Sequence, residues 1–335
     1  MRAWRTGVSA GALDLVASPV PVPAAGEVLV HVLACGICRT DLHVIDQEIP
    51  VHRPGVTPGH QVVGRVTQLG ADVEALSIGD LVGVAWLRHT CGACDWCRAG
   101  SENLCPHSEY TGWDADGGFA DTTVAPAAYV YPLAADVDPI TTAPLLCAGI
   151  IGYRALSRAN LPPGGRLGLY GFGSSAHLVA QIAIAFGARV SVMTRGAQNR
   201  ELARKLGAGF VGEEASVPPD PLDSAIVFAP DGALVPVALA ATRSGGTVVL
   251  AGIEMSDTPS MSYEASLFRE RDLRTVTANT RDDGRRLLDV AASLRLTPTV
   301  TTVPFEQLDQ AIDDIRAGRA RGSLVLVVDD QGGPT

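Results

Sequence analysis

The sequence predicts an α/β protein in which an irregular β-rich domain accompanies a doubly wound parallel sheet. Two patterns support this prediction. Short β-rich runs broken by Gly and Pro extend from Gly26 to about Leu133, and apolar strands alternate with helical segments from about Leu145 to Asn279. The first pattern is typical of a barrel or sandwich, and the second of βαβ units. With 335 residues, 47% of them hydrophobic and 19% charged, the chain has the length and composition of about two globular domains.

The β-rich part contains five predicted strands, and a further segment near the C-terminus completes it. The strands are Glu27–Leu33, Gln61–Leu69, Leu81–Val84, Asp121–Val124 and Val130–Pro132. Beyond Asp282 the pattern predicts helix, strand, helix and strand at Gly284–Leu294, Val300–Val303, Phe305–Gly318 and Leu324–Val328. Because this last segment is too short for a third domain, we expect it to join the β-rich one.

The middle of the chain contains six predicted strands with helices between them. The strands are Arg166–Tyr170, Arg189–Met193, Phe210–Gly212, Ser224–Phe228, Gly246–Ala251 and Leu273–Thr277. The helices are Ala176–Phe186, Arg200–Leu206, Leu234–Thr242 and Tyr263–Arg269. Crossovers of this kind join parallel strands, so the segment predicts a doubly wound sheet.

The charge balance excludes two classes of partner. There are 26 Lys plus Arg against 36 Asp plus Glu, a formal charge of −10. An acidic surface repels nucleic-acid phosphates and anionic lipids, so neither nucleic acid nor membrane is expected as a partner. The first apolar stretch carries Asp14 and runs into Pro19 and Pro21, which a secretory signal would not tolerate, so the predicted location is cytoplasmic.

Four of the seven cysteines form the most specific local pattern, C-x2-C-x2-C-x7-C, at Cys91, Cys94, Cys97 and Cys105. In a cytosolic chain, clustered cysteines indicate metal or catalytic sites before disulfides. Four thiolates match a closed tetrahedral zinc site. The residues between them would make a poor core, which disfavours the alternative of four unligated buried cysteines. The pattern predicts a structural zinc.

A second set of candidate ligands is dispersed along the chain: Cys38, His60 and Cys147. Their positions alone do not assemble them, and a lone Cys or His is more often structural than a ligand. Two cysteines and one histidine are nevertheless the set expected of an open catalytic zinc, whose fourth position takes water or substrate. The remaining cysteine, Cys35, has no predicted role.

A third pattern, Gly171-Phe172-Gly173-Ser174-Ser175-Ala176, matches G-x-G-x-x-G/A between a predicted strand and a predicted helix. Gly171 permits the tight turn, Gly173 lets the backbone approach a pyrophosphate, and Ala176 allows close packing of the helix. Ser174 and Ser175 open that helix, whose N-terminus would face the phosphates. The alternative is a glycine-rich turn without a ligand.

Together these patterns resemble the zinc-dependent medium-chain alcohol dehydrogenase family, of the medium-chain dehydrogenase/reductase superfamily, over nearly the whole chain. Further matches are Pro58-Gly59-His60, Gly79-Asp80, Asp116-Gly117-Gly118-Phe119-Ala120 and Gly149-Ile150-Ile151-Gly152-Tyr153. The resemblance implies a GroES-like catalytic, zinc-binding domain at 1–149 and 286–335 and a Rossmann dinucleotide-binding domain at 150–285. It also implies two zinc ions per chain and a homo-oligomer, a dimer or a tetramer.

The resemblance also implies roles for single residues. Cys38, His60 and Cys147 would bind the catalytic zinc, and Asp41 would hold the His60 ring. Thr40 would accept the substrate hydroxyl proton and pass it through the cofactor ribose to His43 and water.

Two residues outside the metal set also have implied roles. Trp86 stands where the family lines its substrate pocket, and Arg39 is assigned to the cofactor. For Arg39, Thr40 and His43 the alternative is solvated loop residues.

Two positions depart from the family pattern. Relatives usually carry Glu after the zinc histidine, where this chain has Gln61, so a negative charge close to the metal is missing. Relatives often carry an Arg near the cofactor where Gly322 is followed by Ser323, and Arg321 is a candidate substitute.

The segment after the second parallel strand predicts the cofactor. NAD-preferring relatives place an acidic residue about 20 residues beyond the glycines, where this chain has Thr194 followed by Arg195. No carboxylate lies between Val190 and Arg200, so a 2′-phosphate would meet no repulsion, and Arg195 could bind it. The prediction is NADP(H) in preference to NAD(H); the alternative is that Arg195 is a solvated loop residue.

The combined prediction is an oxidoreductase that interconverts a primary or secondary alcohol with its aldehyde or ketone by hydride transfer with a nicotinamide cofactor. One alternative is a zinc-free type of quinone or enoyl reductase, which would lack the Cys38, His60 and Cys147 set. The other is a catalytically silent nucleotide-binding protein of the same fold, which only Gln61 favours.

Overall fold

Residues 1–252, 254–320 and 322–328 are described by a computed structural model of the chain, and they divide into two units. The first takes Met1–Cys147, Ala278–Arg285 and the described residues from Pro298 onward; the second takes Ala148–Thr277 and Arg286–Thr297. The units differ from the predicted domains mainly in two segments. Residues 278–285, predicted in the dinucleotide-binding domain, group with the first unit, and residues 286–297, predicted in the catalytic domain, group with the second. The domain limits 1–149, 150–285 and 286–335 stay a prediction.

The strands in chain order are β1 (Arg2–Thr6), β2 (Leu13–Ala17), β3 (Glu27–Ile37), β4 (Gln61–Leu69), β5 (Leu81–Val84), β6 (Leu87–His89), β7 (Glu109–Tyr110), β8 (Thr122–Pro126), β9 (Val130–Pro132), β10 (Arg166–Tyr170), β11 (Arg189–Met193), β12 (Phe210–Gly212), β13 (Leu222–Val227), β14 (Thr242–Leu250), β15 (Asp272–Thr275), β16 (Val300–Pro304) and β17 (Ser323–Val327). The α-helices are α1 (Arg39–Ile45), α2 (Asp95–Arg98), α3 (Pro139–Thr142), α4 (Ala148–Arg158), α5 (Ser174–Ala185), α6 (Ala197–Lys205), α7 (Leu234–Ala241), α8 (Tyr263–Ser266), α9 (Arg281–Leu294) and α10 (Leu308–Arg316). Short 3-10 turns cover Glu102–Leu104, Ala127–Tyr129, Ala143–Leu146 and Phe305–Gln307.

The first unit is organised around a mixed sheet with the strand order β16-β17-β3-β4-β5-β9, in which β8 also pairs with β3. Only the β16–β17 pair of this sheet is parallel. The central strand β3 is apolar and almost wholly buried, as expected for a strand with neighbours on both sides. Its register against β4 shifts at Leu29/Val30 and at Val32/Ala34, and such bulges bend a sheet. The two C-terminal strands, β16 and β17, lie at one edge of this sheet.

The second unit is a six-stranded parallel sheet with the order β12-β11-β10-β13-β14-β15. Counted along the unit, this order is 3-2-1-4-5-6, which is typical of a doubly wound dinucleotide-binding fold. Leu167 and Leu169 of β10 pack in one apolar cluster with α5, whereas Tyr170 packs in a second cluster with α7. Because neighbouring residues of a strand point to opposite faces, both faces of this sheet are covered. The predicted fold class is confirmed.

Several element boundaries differ from the predictions, and several elements were not predicted. The unpredicted strands are β1, β2, β6 and β7, and the unpredicted α-helices are α1, α2, α3 and α4. The helix expected at Phe305–Gly318 is divided into a 3-10 turn and α10. Glycines in α4 weaken its helix signal. Gly152 of α4 is needed for packing, because a Cβ there would lie 2.8 Å from the Val179 side chain of α5.

No single helix among the described residues is long and apolar enough to cross a bilayer. Two helical segments, Pro139–Leu146 and Ala148–Arg158, reach that length and hydropathy only when they are taken together across a bend.

Candidate functional site

The four predicted structural ligands come together in one lobe of the first unit. The Sγ atoms of Cys91, Cys94, Cys97 and Cys105 all lie within 4.8 Å of one another. The Cys94–Cys97 and Cys91–Cys105 sulfurs are 3.5 Å apart, far from a disulfide bond and close to the separation of about 3.8 Å that tetrahedral Zn–S bonds of about 2.3 Å would give. Backbone N–H groups of Ala93 and Cys94 lower the pKa of the Cys91 thiol to about 6. The cluster fits a structural zinc site.

The same lobe is tied to the rest of the first unit by an ion pair that sequence reasoning missed. The Glu102 carboxylate accepts hydrogen bonds from the Arg281 backbone N–H at 2.7 Å and from its Nη2 at 2.6 Å. The Arg281 guanidinium also stacks on Tyr129, 4.5 Å from the ring centroid. Burial works to raise the pKa of Glu102, but the hydrogen bonds and charge of Arg281 outweigh it and lower that pKa. Because Glu102 and Arg281 are 179 residues apart in the sequence, no local sequence pattern predicts this pair.

The dispersed set also comes together, in the first unit. The Cys38 and Cys147 sulfurs and a His60 ring nitrogen lie within 4.8 Å of one another, with Cys38 Sγ 3.3 Å from His60 Nε2. Cys38 follows β3, His60 precedes β4, and Cys147 follows the 3-10 turn at Ala143–Leu146. No fourth Cys, His, Asp or Glu among the described residues joins this group. Two sulfurs and one imidazole leave one tetrahedral position of a zinc ion open.

Asp41 fixes the geometry of two of these residues at once. One carboxylate oxygen accepts the His60 Nδ1–H at 3.0 Å and the Gly59 N–H at 3.1 Å, and the other accepts the Cys38 N–H at 2.9 Å. With Nδ1 held in this way, Nε2 is the ring nitrogen directed to Cys38. Asp41 and His60 are fully buried. Asp41 therefore lies where the resemblance places a residue that orients the ligand histidine.

Local backbone structure explains why these residues meet. Cys38 is the N-cap of α1: its Sγ accepts the Thr40 N–H at 3.3 Å while Asp41 accepts the Cys38 N–H, which completes a capping box. Gly59, just before His60, has φ of +96°, and a Cβ there would lie 2.6 Å from the Phe119 ring. Only glycine fits this close approach.

The charges of the set favour ligation. A hydrogen bond with Cys147 holds the pKa of the Cys38 thiol well below its usual range, against the opposing effect of burial and with the help of His60. Burial lowers the pKa of His60, but Asp41 and the Cys38 thiolate outweigh it and raise that pKa to about 10. A metal ion binding here would displace protons, because it takes thiolates and neutral imidazole.

Thr40 and His43 lie on α1 and are buried, so the alternative that they are solvated loop residues is wrong, whereas Arg39 at the start of the helix is exposed. The two side chains are three residues apart, on one face of the helix. His43 Nδ1 is 2.5 Å from a carboxylate oxygen of Glu48, and the Glu48 side chain is half exposed. Sequence reasoning did not identify Glu48.

Aromatic rings line one side of the set. Trp86 meets His60 edge to face, with the ring centroids 4.8 Å apart. Trp86 also stacks on Tyr110 at 5.0 Å and on Trp113 at 5.9 Å. Trp86 was expected near the substrate. Tyr110, which follows the four-cysteine lobe, was not; its partly buried ring stacks on both Trp86 and Trp113. The rings make an apolar wall beside His60.

Gln61, which replaces the family glutamate, is buried at the start of β4. It pairs in register with Gly36 of β3, and a Cβ on Gly36 would lie 2.8 Å from the Gln61 side chain. The amide therefore fills the space over Gly36. Arg321, the candidate substitute for the family arginine, lies outside the described residues.

The glycine-rich turn lies at the end of β10 and opens α5, in the second unit. Gly171 has φ of +85°, and a Cβ there would lie 2.7 Å from the backbone of Ala229. Gly173 is the N-cap of α5, and a Cβ there would meet open space, so its backbone is accessible. Ser174 and Ser175 form the first turn and Ala176 is fully buried, as its packing role requires. These positions fit a pyrophosphate at the N-terminus of α5.

The residues proposed to select the cofactor follow β11. Thr194 is buried, and Arg195 is 72% exposed with its Nε 3.2 Å from a carboxylate oxygen of Glu214. Arg200 donates hydrogen bonds to the carbonyls of Thr194 and Arg195. No carboxylate was expected near Arg195, but Glu214 follows β12, the neighbouring parallel strand. Because neighbouring parallel strands end at one edge, this position could have been inferred.

Two family models match the chain. The alcohol dehydrogenase GroES-like domain matches residues 24–135, and the zinc-binding dehydrogenase domain matches residues 176–293. Together the matched segments span more than half of the chain; the first lies within the first unit, and the second lies in the second unit except for residues 278–285. They include Cys38, His60 and the four-cysteine lobe in the first case and most of the parallel sheet in the second.

Known proteins similar to this chain agree with these matches. A probable alcohol dehydrogenase, AdhA, of Mycobacterium tuberculosis is 53% identical over 98% of this chain and 97% of its own length. A cinnamyl alcohol dehydrogenase structure from Sorghum bicolor has a TM-score of 0.90 at 28% identity, covering 100% of this chain and 99% of that one. An acetophenone reductase from Geotrichum candidum, solved in complex with NAD, has a TM-score of 0.88 at 26% identity and covers 98% of both chains.

Proposed function

Because the chain belongs to the zinc-type medium-chain dehydrogenase/reductase family, we propose that it is a zinc-dependent alcohol dehydrogenase. It interconverts alcohols with aldehydes or ketones by hydride transfer with a nicotinamide cofactor, NADP(H) in preference to NAD(H), and holds two zinc ions. The observation that carries the proposal is the set Cys38, His60 and Cys147, which supplies three ligands and leaves a position for substrate.

The donor chemistry fits this assignment. When bound, zinc supplies a Lewis acid for the substrate oxygen, and the nicotinamide supplies the hydride acceptor or donor. Asp41 keeps His60 Nε2 directed to the metal position, and the low pKa of Cys38 keeps that sulfur as thiolate. Gly171 and Gly173 shape the turn that would hold the dinucleotide.

The proton path begins on α1. The Thr40 hydroxyl accepts the proton of the substrate hydroxyl and releases its own proton, which His43, one turn along the same helix, passes on to water. The Glu48 carboxylate at His43 Nδ1 fixes which ring nitrogen carries the proton. Because the Glu48 side chain is half exposed, it connects the buried His43 ring to water. Arg39, exposed at the start of α1, is the residue proposed to contact the cofactor.

The aromatic wall supports a substrate class. Trp86, Tyr110 and Trp113 present stacked rings beside the ligand His60. Flat rings bind apolar and aromatic groups well and offer an anionic group no counter-charge. We therefore expect small apolar or aromatic alcohols and aldehydes as substrates.

The proposal is tested by metal analysis together with a panel of alcohols, aldehydes and enones, run with NADPH and with NADH. The expected result is two zinc ions per chain and turnover of aldehydes. A reductase of the zinc-free type would hold fewer zinc ions and prefer enones. A silent nucleotide-binding protein would bind NAD(P)H without turnover, and either of these results contradicts the proposal.

Cofactor preference gives a separate prediction. Arg195→Ala should raise the Michaelis constant for NADPH about 5–150-fold, since one charged hydrogen bond to the 2′-phosphate contributes about 1–3 kcal/mol. The constant for NADH should hardly change. The exposed ion pair with Glu214 is worth at most about 1 kcal/mol, so a phosphate can displace it.

Two matched variants sharpen this test. Glu214→Gln should lower the Michaelis constant for NADPH up to about fivefold, because the competing carboxylate is lost. Arg204→Ala removes an equal charge from an exposed position of α6 and should change neither constant. A wild-type enzyme that favours NADH would contradict the assignment.

A dimer or tetramer and a cytoplasmic location also stay proposals. Light scattering coupled to size-exclusion chromatography tests the first, and cell fractionation tests the second.

A further inference from the structure

Apart from the metal sets, the first unit contains a cavity of about 330 Å³ that carries unusual charge. Three arginines line it: Arg5 from β1, Arg53 from the segment between α1 and β4, and Arg88 from β6. Asp116 and Glu27 are the carboxylates in the same lining. Three positive charges against two negative ones leave an excess of +1, in a chain whose formal charge is −10.

The arginines are poorly matched to these carboxylates. Arg53 Nη2 donates to an Asp116 carboxylate oxygen at 3.2 Å, and Arg5 Nη2 lies 3.7 Å from the same oxygen. The other Asp116 oxygen accepts the backbone N–H of Thr57 at 3.0 Å. Two guanidinium groups therefore share one carboxylate oxygen. By contrast, Arg281 takes both oxygens of Glu102 for itself at 2.6–3.1 Å.

Two of the arginines have guanidinium N–H groups that are not used in hydrogen bonds within the described part of the chain. A guanidinium has five N–H donors. Arg88 makes one contact, Nη2 to a Glu27 oxygen at 3.4 Å, although its side chain is only 9% exposed. Arg5 donates Nη1 to the Gly55 carbonyl at 3.2 Å, and its Nε is buried without a hydrogen-bond acceptor among the described residues.

Burial makes this arrangement costly without an additional anion. Burial lowers the pKa of Arg88, the carboxylates of Glu27, Glu109 and Asp114 oppose that effect, and the charge of Arg53 adds to it. A buried cation is stable only when paired and hydrogen-bonded. Oxyanions with two or more acceptor oxygens suit guanidinium groups because they accept forked hydrogen bonds.

We propose that this cavity binds a small oxyanion, a phosphate or a carboxylate compound, through Arg5, Arg53 and Arg88. The anion neutralises the excess charge and accepts the N–H donors that Asp116 and Glu27 leave unused. Its volume is at the lower end of the range of small-molecule pockets, so an inorganic ion or a short polycarboxylate fits. The site belongs to the β-rich unit and is separate from the residues proposed for hydride transfer.

The test is isothermal titration of the full-length, zinc-loaded protein with inorganic phosphate, sulfate and citrate, with chloride added to keep the ionic strength constant. Thermal unfolding in the same buffers is the second readout. The expected result is saturable binding of one anion per chain and a rise in the unfolding midpoint that chloride does not give. Binding of phosphate and sulfate assigns the site to phosphate groups, and binding of citrate alone assigns it to carboxylates.

Two variants locate the binding. Arg53→Gln keeps the buried Arg88 in place and should lower the affinity for the anion about tenfold or more, as expected for a lost charged hydrogen bond. Arg65→Gln removes the same charge from an exposed position of β4 in the same unit and should leave the affinity unchanged. The proposal is overturned if no anion gives saturable binding or if both variants lower the anion affinity equally.

Discussion

Replacing Cys38 by Ser or His60 by Ala is expected to abolish turnover, with a fall in kcat/KM of about three orders of magnitude or more, while NAD(P)H still binds. A metal Lewis acid contributes several kcal/mol to the transition state, and each 1.4 kcal/mol is tenfold in rate. Three ligands hold the proposed zinc, so loss of one removes much of its affinity. The glycine-rich turn lies in the other unit and keeps its structure.

The measurement combines an activity assay with quenching of tryptophan fluorescence by NAD(P)H and with metal analysis. Each variant should hold one zinc ion instead of two. Cys35→Ala is the matched control, because Cys35 is a buried thiol of β3 that belongs to neither metal set. It should keep both zinc ions and its turnover. Retained activity in Cys38→Ser or His60→Ala would rule out the catalytic-zinc assignment.

The parallel sheet could be predicted from the sequence because its signals are local. The strands β10 and β11 have the predicted bounds, since each is a short apolar run between turn residues. The four-cysteine lobe could also be predicted from the sequence, because its four cysteines lie within 15 consecutive residues at a spacing typical of zinc sites. Patterns contained in one segment need no knowledge of the tertiary structure.

The rest depends on contacts between distant segments. Cys38, His60 and Cys147 end or precede different elements, and only the resemblance to known proteins grouped them. Helix α1 was missed because a cysteine, and not Ser, Thr, Asp or Asn, caps it. The ion pair Glu102–Arg281 joins residues 179 positions apart, so periodicity and spacing carry no trace of it.

The structural lobe should depend on its metal for order. Helix α2 within it has no buried residue, and Trp96 and Leu104 are exposed, so the lobe has little apolar core of its own. Its order then rests on the four sulfurs and on the Glu102–Arg281 ion pair, which attaches it to the first unit. Loss of the metal would free the lobe and weaken that attachment, because structural zinc sites contribute folding energy directly.

Cys94→Ser is therefore expected to lose one zinc ion, keep the other, and lower the free energy of unfolding by about 3 kcal/mol or more, the size typical of a lost metal site. For a domain of this size that corresponds to a fall in Tm of roughly 6–12 °C. Metal analysis and calorimetry measure both quantities. Ser101→Ala, in the same lobe but not a ligand, should keep both zinc ions and the wild-type Tm. If Cys94→Ser retains both ions, the four-cysteine zinc site is wrong, and if it loses one ion with an unchanged Tm, that zinc does not have a structural role.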